Sequence, residues 1–415
     1  MYTHDLRAGG VMSGSGRRRE AGASRVASEA ERLLTTARAR AASDLHLEPT
    51  GDAFTVRLRL DGVLHDVETL PPDLGRSVVA RLKLLADLLT YRSDVPQEGR
   101  VREEDAHGPG DLRVSTYPTI HGERLVVRFF DRALGTFELE NLGFPPAALV
   151  ELRRAVSATS GVVLLTGPAG SGKTTTLYAT LNSLLRRTAR RLHIITVEDP
   201  VESVLPGVTQ TQVNPAVGLT FARALRSLLR QDPEVVMVGE IRDRETAEIV
   251  TQAGLTGHLV LSTLHGGDVA TVIARLLDMG VEPYVVTSAL RAVLAMRLVR
   301  TLCEQCRREG PAVGLATRER PLRTFEPQGC GACGDTGYAG RRPIVEFAEI
   351  TGPLRRLILA SADAETLTRQ LEAEGMITLV ERGLELVEGG VTSLEEMRRV
   401  CGGMDVSGPD LSRTP

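Results

Sequence analysis

Gly167-Pro168-Ala169-Gly170-Ser171-Gly172-Lys173-Thr174 has the residue types and spacing of a loop that wraps phosphates. Glycines let successive backbone N–H groups turn inward around an anion. The lysine ammonium neutralises the outer phosphates of a nucleoside triphosphate. The threonine hydroxyl ligates Mg²⁺ and opens a helix whose N-terminus favours negative charge. Thr175 follows in the first turn and belongs with the loop to the cofactor-binding set for ATP and Mg²⁺. The apolar run 161–166 ahead of the loop reads as a buried strand, and 174–187 carries helical apolar spacing, which is the context such a loop needs.

Hydrolysis of a γ-phosphate also requires a metal ion, positive charge on the transferred oxygens and a group that orients water. Residues 235–240, Val-Val-Met-Val-Gly-Glu, form an apolar strand ending in a carboxylate, with Gly239 where many P-loop enzymes keep an aspartate. Glu240 is assigned to Mg²⁺ through water, and polarising the nucleophile is a second role open to it. Glu198 ends the neighbouring apolar run and is the candidate base that positions the water; a helix-capping role for Glu198 and Asp199 is the alternative. His265 follows another apolar run and reads as a γ-phosphate sensor instead of a proton acceptor, with a purely structural hydrogen bond as the competing account. Cys303-Glu-Gln-Cys306 and Cys330-Gly-Ala-Cys333 are separated by the 23 residues 307–329, a spacing suited to a closed, structural Zn²⁺ site. A redox dithiol is the alternative, and Cys401 is read as an inert extra thiol.

The elements that must position these groups follow from periodicity. From residue 150 strands and helices alternate, with strands near 162–166, 192–197, 235–238 and 258–262, the signature of an α/β fold with a parallel sheet. Ligands of such sheets bind beyond the C-terminal strand ends, where the loop, Glu198, Glu240 and His265 all fall. Ahead of this region, 54–60 alternates apolar residues with Thr55, Arg57 and Arg59, Asp61-Gly62 forms a hairpin turn, and 74–89 has one apolar helical face. Further strands are expected at 112–116 and 125–129, giving an α+β domain with mostly antiparallel pairing. The division expected is a disordered Gly/Ser/Arg leader (1–28), the α+β domain (29–134), a linker (135–146), the ATPase core (147–300), the tetracysteine element (301–341), a helical C-terminal part (342–402) and a flexible tail (403–415).

At 415 residues with 42% hydrophobic residues the chain buries at least two cores. A formal net charge of -3, aromatics of only 3% and no tryptophan argue against a dedicated nucleic-acid binder. No apolar run is long enough to span a bilayer and the N-terminus has no apolar signal core, so the expected location is cytoplasmic.

Residues 42–49 (ASDLHLEP), 96–100 (PQEGR), the phosphate loop, 195–202 (ITVEDPVE), 221–226 (FARALR), 229–243 (LRQDPEVVMVGEIRD), 256–265 (TGHLVLSTLH) and the tetracysteine element together closely resemble the secretion ATPases, in the branch of type II secretion and type IV pilus assembly ATPases. The likeness covers about residues 41–400. It implies a PAS-like N-terminal domain, a RecA-like ATPase domain and a homo-hexameric ring peripheral to the inner membrane. ATP hydrolysis there drives an inner-membrane platform protein that assembles pilins or pseudopilins. The family's boxes map to Lys173 and Thr174, Glu198 and Asp199, Glu240, and His265, and arginines of the PAS-like domain, here Arg57, Arg59, Arg113 and Arg128, complete the nucleotide site. Two departures stand out. Gly266-Gly267 replaces the usual Thr-Asn after the histidine, which predicts a looser loop. Only the Gly/Ser/Arg leader precedes residue 41, where full-length members carry a domain that docks on a membrane-anchored partner. A retraction motor, which typically lacks the four cysteines, a DNA-uptake or conjugation ATPase, and a non-hydrolysing regulatory subunit are the alternatives.

Overall fold

The structure, a computed structural model, describes residues 14–106, 108–129, 137–187, 192–315, 318 and 320–402. Residues 1–13 of the expected leader, the tail from 403 and residues 135–136 of the expected linker lie outside them. The chain divides after Arg132 into two compact units.

The first unit contains α1 (Gly14–Ala39), β1 (Asp44–Pro49), β2 (Phe54–Leu60), β3 (Val63–Leu70), α2 (Pro72–Leu85), β4 (Gln97–Val101), β5 (Leu112–Thr119) and β6 (Gly122–Phe129). The strands form one sheet in the order β3-β2-β1-β6-β5-β4 with every pairing antiparallel, as expected. Alternation decides which face is covered: Phe54, Val56 and Leu58 are buried with Leu33, Leu34 and Ala37 of α1 and Val78, Val79 and Leu82 of α2, while Arg57 and Arg59 point the other way. The turn between β2 and β3 has φ of 47° at Asp61 and 85° at Gly62, the doubly positive geometry that matches strand twist in two-residue hairpins. α1 begins at Gly14, so residues 14–28, expected to be unfolded, are helical. Composition suggested disorder, but the Arg, Glu and Ala of this stretch are strong helix formers.

The second unit contains α3 (Pro146–Val156), β7 (Gly161–Thr166), α4 (Lys173–Arg187), β8 (Ile194–Glu198), β9 (Thr209–Gln212), α5 (Phe221–Leu228), β10 (Val235–Val238), α6 (Arg244–Leu255), β11 (Leu259–Leu264), α7 (Val269–Asp278), α8 (Pro283–Ala289), β12 (Leu290–Leu302), β13 (Arg308–Glu309), β14 (Phe325–Glu326), β15 (Tyr338–Glu349), α9 (Gly352–Leu359), α10 (Ala364–Ala373), α11 (Leu379–Glu388) and α12 (Leu394–Cys401). Seven strands form a sheet in the order β15-β12-β7-β11-β10-β8-β9, parallel except for β15 against β12. Both faces are covered. Val162 and Leu164 of β7 pack into a core with α5 to α8 and the C-terminal helices, and Val163 and Leu165 into a second core with α3 and α4. A strand buried on both faces reads as a continuous apolar run, as β7, β10 and β11 do.

The largest difference from expectation is the pair β12 and β15. Residues 338–349 are a strand, not part of a helical region, and the helices resume only at Gly352. In β12, Leu-Arg-Ala-Val-Leu-Ala-Met-Arg-Leu-Val-Arg-Thr-Leu mixes apolar and basic residues with no clean period, because it is buried on both faces near its start and partly exposed towards its end.

Candidate active site and metal centre

β7 leads directly into the phosphate loop, and α4 starts at Lys173. Gly167, Gly170 and Gly172 have φ of 148°, 75° and 94°. At Gly167 a Cβ would meet the Met296 carbonyl oxygen at 2.4 Å and Ser171 Oγ at 2.5 Å, so only glycine lets the loop lie against the middle of β12. Ser171 Oγ is buried with no hydrogen-bond partner among the described residues, a polar atom left for a ligand. Lys173 Nζ donates to the carbonyl oxygens of Gly167 at 2.8 Å and Pro168 at 2.9 Å. Its own loop thus stands in for the phosphate oxygens. Burial lowers the Lys173 pKa, Arg297 lowers it further and the Glu240 carboxylate opposes them. Thr174 and Thr175 follow in the first turn of α4, both half-buried. Glycine-lined N–H groups, an orphaned hydroxyl and a lysine at a helix N-terminus fit a Mg²⁺-nucleotide.

Parallel register aligns the strand ends that face this loop: Val238 of β10 lies beside Ser262 of β11 and Val197 of β8, and Leu264 beside Thr166. Glu240 therefore emerges near His265, with His265 Nε2 at 3.3 Å from Glu240 Oε2. Arg242 hydrogen-bonds the other oxygen of Glu240 and lies 3.3 Å from Asp199 Oδ2. Burial works to raise the Glu240 pKa, but Arg242 and His265 outweigh it and hold the carboxyl below its usual range. Arg242 was not among the sequence candidates, although its place two residues after Glu240 was a usable signal.

Glu198 occupies a different environment. Its side chain is buried and accepts hydrogen bonds from Tyr178 Oη, from Thr196 Oγ1 at 2.5 Å and from Gln210 Nε2 at 3.1 Å. Tyr178 Oη also accepts from the Glu202 backbone N–H at 3.3 Å, and burial followed by the bond to Glu198 pushes its pKa up. The structure brings Glu240, His265 and Lys173 together and keeps Glu198 in this inner network, with its neighbour Asp199 on the Arg242 side.

The segment after His265 is bonded residue by residue. Thr166 Oγ1 donates to the Gly266 carbonyl at 3.1 Å, Arg297 Nη2 to the Gly267 carbonyl at 2.6 Å, and Thr271 N–H to Asp268 Oδ1 at 2.7 Å; Val269 N–H reaches Glu346 Oε1, also at 2.7 Å. A Cβ at Gly266 would meet Val272 Cγ2 at 2.7 Å, so glycine there permits close packing. The looser loop expected from Gly266-Gly267 is a tethered one.

The four candidate arginines belong to the first unit. Arg59 pairs with Asp44 at 3.5 Å, Arg128 with Asp44 at 2.8 Å, Arg113 with Glu98 at 2.5 Å, and Arg57 with Glu48 and Asp66 at 2.6 Å each. Arg59, Asp44, Arg128 and Arg113 lie in one row across β2, β1, β6 and β5. Arg57 and Arg59 each find carboxylates within the sheet, Arg57 in Glu48 and Asp66 and Arg59 in Asp44.

β12 and β15 carry the tetracysteine element at their open end, with the short β13–β14 ladder between. The four Sγ atoms lie within 4.8 Å of one another, with Cys303–Cys330 and Cys306–Cys333 at 3.9 Å and Cys330–Cys333 at 3.8 Å. A tetrahedron with metal–sulfur bonds of about 2.3 Å has edges of about 3.8 Å. Backbone N–H groups of Cys330 and Gly337 each donate to Cys333 Sγ at 3.2 Å. Burial raises the pKa of both Cys306 and Cys333, but these N–H bonds outweigh it at Cys333 and bring it down to about 7, whereas Cys306 is pushed up to about 11. The site suits a metal ion held by four thiolates.

A parallel sheet ending in a phosphate loop, with an acid and a histidine on the adjoining strand ends, defines a P-loop nucleotide hydrolase. The family model for type II/IV secretion system proteins matches residues 19–399, and the chain belongs to that family. It is 46% identical over 368 residues to the type II secretion system protein HxcR of Pseudomonas aeruginosa, covering 89% of this chain and 76% of that one. It is 43% identical to the type II secretion system ATPase E of Vibrio cholerae (86% of this chain, 72% of the relative) and 44% identical to the type IV pilus assembly ATPase PilB of Thermus thermophilus (86% and 41%). In fold it is similar to the ATPase DotB of Legionella pneumophila, with a TM-score of 0.64 at 21% identity over 89% of this chain and 94% of that one. The chain is an ATPase of the secretion and pilus-assembly family, as the sequence resemblance implied.

Proposed function

We propose that this chain works as a homo-hexameric motor that hydrolyses Mg²⁺-ATP to drive assembly of a pilin or pseudopilin fibre through an inner-membrane platform protein, at the cytoplasmic side of that membrane. Among the described residues no helix is long and apolar enough to cross a membrane, so attachment falls to partner proteins, including a membrane-anchored docking protein. The observation that carries the reading is the meeting of Glu240 and His265 at aligned strand ends, with the Glu240 charge acting on Lys173 of the phosphate loop, in a chain with 43–46% identity to secretion-system relatives.

In this reading, loop N–H groups and Lys173 bind the β- and γ-phosphates once Lys173 swings from the Gly167 and Pro168 carbonyls. Thr174, and Glu240 through water, would hold Mg²⁺, which would supply charge neutralisation to the transferred oxygens. His265, tied to Glu240, faces the γ-phosphate position and reports its presence. Glu198 holds the strand end and the Asp199 turn through its three donors. That geometry favours Glu240 over Glu198 for polarising water. Zn²⁺ in the four-cysteine site serves structure, since four thiolates leave no position for substrate.

The test is genetic and biochemical together. A strain lacking this chain should lose an extracellular fibre or a secreted protein set, regained with wild-type chain but not with Lys173→Ala. Pulldown of the wild-type chain should recover a polytopic inner-membrane protein. Intact secretion and piliation in the deletion strain would refute the assignment.

A further inference from the structure

We propose that Arg297 and Glu346 form a positioning clamp that holds the His265 loop in its working place and ties it to the C-terminal helices. The inference deepens the reading above and rests on His265 serving turnover.

Neither residue carries a phosphate-loop or box motif. Their placement follows from the sheet. Glu346 lies opposite Ala295 in the β12–β15 ladder, and Arg297 is two residues further along β12, so both side chains stand on one face as diagonal neighbours. Arg297 Nη1 donates to the Met296 carbonyl at 3.1 Å, and Nη2 donates to the Gly267 carbonyl at 2.6 Å, two residues after His265. The same Met296 carbonyl is what closes off any side chain at Gly167. One guanidinium therefore joins the stretch of β12 that lies against the phosphate loop to the histidine loop.

Glu346 completes the clamp. Its side chain is only 4% exposed, and its two oxygens accept the first backbone N–H of two different helices: Oε1 from Val269 of α7 at 2.7 Å and Oε2 from Leu379 of α11 at 3.2 Å. A carboxylate at a helix N-terminus satisfies an orphan donor and complements the helix dipole. Here one carboxylate does so for the helix that follows the His265 loop and for a helix of the C-terminal part. A cavity of about 300 Å³ opens beside the clamp, lined by Gly267, Asp268, Arg297, Glu346 and Leu379, so the loop has room to move if the tether is cut.

Both Arg297 bonds hold backbone carbonyls outside the phosphate loop, those of Met296 and Gly267, so its expected action is on turnover and not on nucleotide affinity. In the full chain, Arg297→Ala should lower kcat at least tenfold while KM and the Kd of a fluorescent ATP analogue stay within threefold. Arg297→Lys, which keeps one donor within reach of Gly267, should recover part of the loss. Glu346→Met keeps most of the side-chain volume and removes both acceptors, leaving the Val269 and Leu379 N–H groups unpartnered. It should raise amide hydrogen exchange at both Val269 and Leu379. The double variant Arg297→Ala/His265→Ala should be no slower than His265→Ala alone, because both act through one loop.

Additive losses in the double variant would overturn the clamp, as would a Kd that worsens in step with kcat in Arg297→Ala, which would make Arg297 a nucleotide contact. Exchange rising at only one of the two amides in Glu346→Met would remove the link to the C-terminal helices. Wild-type turnover in His265→Ala alone would instead refute the role given to the histidine, whatever Arg297 does.

Discussion

Two glutamates that look alike as strand-end acids are expected to respond differently to the same change. Glu240 is half-buried and is held in its charged form by Arg242 and His265, so Glu240→Gln removes a charge with little loss of packing. We expect nucleotide binding to persist and turnover to fall by about a hundredfold or more, measured as steady-state ATPase activity against Kd. Glu198→Gln turns an NH₂ towards one of three donors that now point at a carboxylate. It should lower thermal stability by about 2 kcal/mol as well as turnover. A Glu198→Gln chain with wild-type melting behaviour would show that the inner network is not what the carboxylate supports. Lys173→Ala should abolish nucleotide binding or turnover, because the loop carbonyls it now bonds offer no positive charge to phosphate.

At the scale of elements, the C-terminal helices are fixed by charge as much as by apolar packing. Glu396 of α12 is fully buried and receives the Arg300 N–H at 3.0 Å, the Arg300 guanidinium at 2.8 Å and the Arg399 guanidinium at 2.6 Å. Burial raises its pKa, but Arg399 and Arg300 more than reverse that and hold it below its ordinary 4.5. A depressed folded-state pKa contributes stability that is complete above the unfolded value and lost as pH falls through the folded one. Glu396→Gln should therefore cost about 3 kcal/mol at pH 7, and the gap to wild type should close below the ordinary carboxylate range. An equal gap at both pH values would exclude the ion pairs as its source. The tetracysteine hairpin makes a separate prediction: about one Zn²⁺ per chain by metal analysis, with Cys303→Ser loosening the β12–β15 tip while nucleotide still binds. Reduced protein with no metal and four freely titrating thiols would dismiss the site.

For the whole molecule, the proposal that arginines of the first unit complete a nucleotide site in a hexameric ring has its own test. Among the described residues Arg59 and Arg128 pair with the same carboxylate, Asp44. An arginine delivered to a γ-phosphate contributes about a thousandfold or more to turnover. If the ring reading holds, Arg59→Ala should cut ATPase activity sharply while each chain still binds ATP. Mixing Arg59→Ala with Lys173→Ala chains should then restore some activity, since one lends the arginine and the other the loop. Unaltered turnover in an Arg57/Arg59 double alanine variant would reduce both to the ion pairs they make within the sheet.

The sequence by itself determined the phosphate loop, the parallel core that presents it and the four-cysteine spacing. These are local: turn glycines, runs of doubly buried strand residues and ligand spacing are written in consecutive positions. It also located Glu240 and His265 at strand ends. Tertiary structure decided what each polar group meets. Strand pairing turned Glu198 into the centre of a Tyr178, Thr196 and Gln210 network, and put Arg297 and Glu346, 49 positions apart along the chain, beside a loop that neither adjoins in sequence. The strands β12 and β15 escaped sequence reading for the same reason: their burial on both faces exists only once α7 and the C-terminal helices pack over the sheet, and no local period announces it.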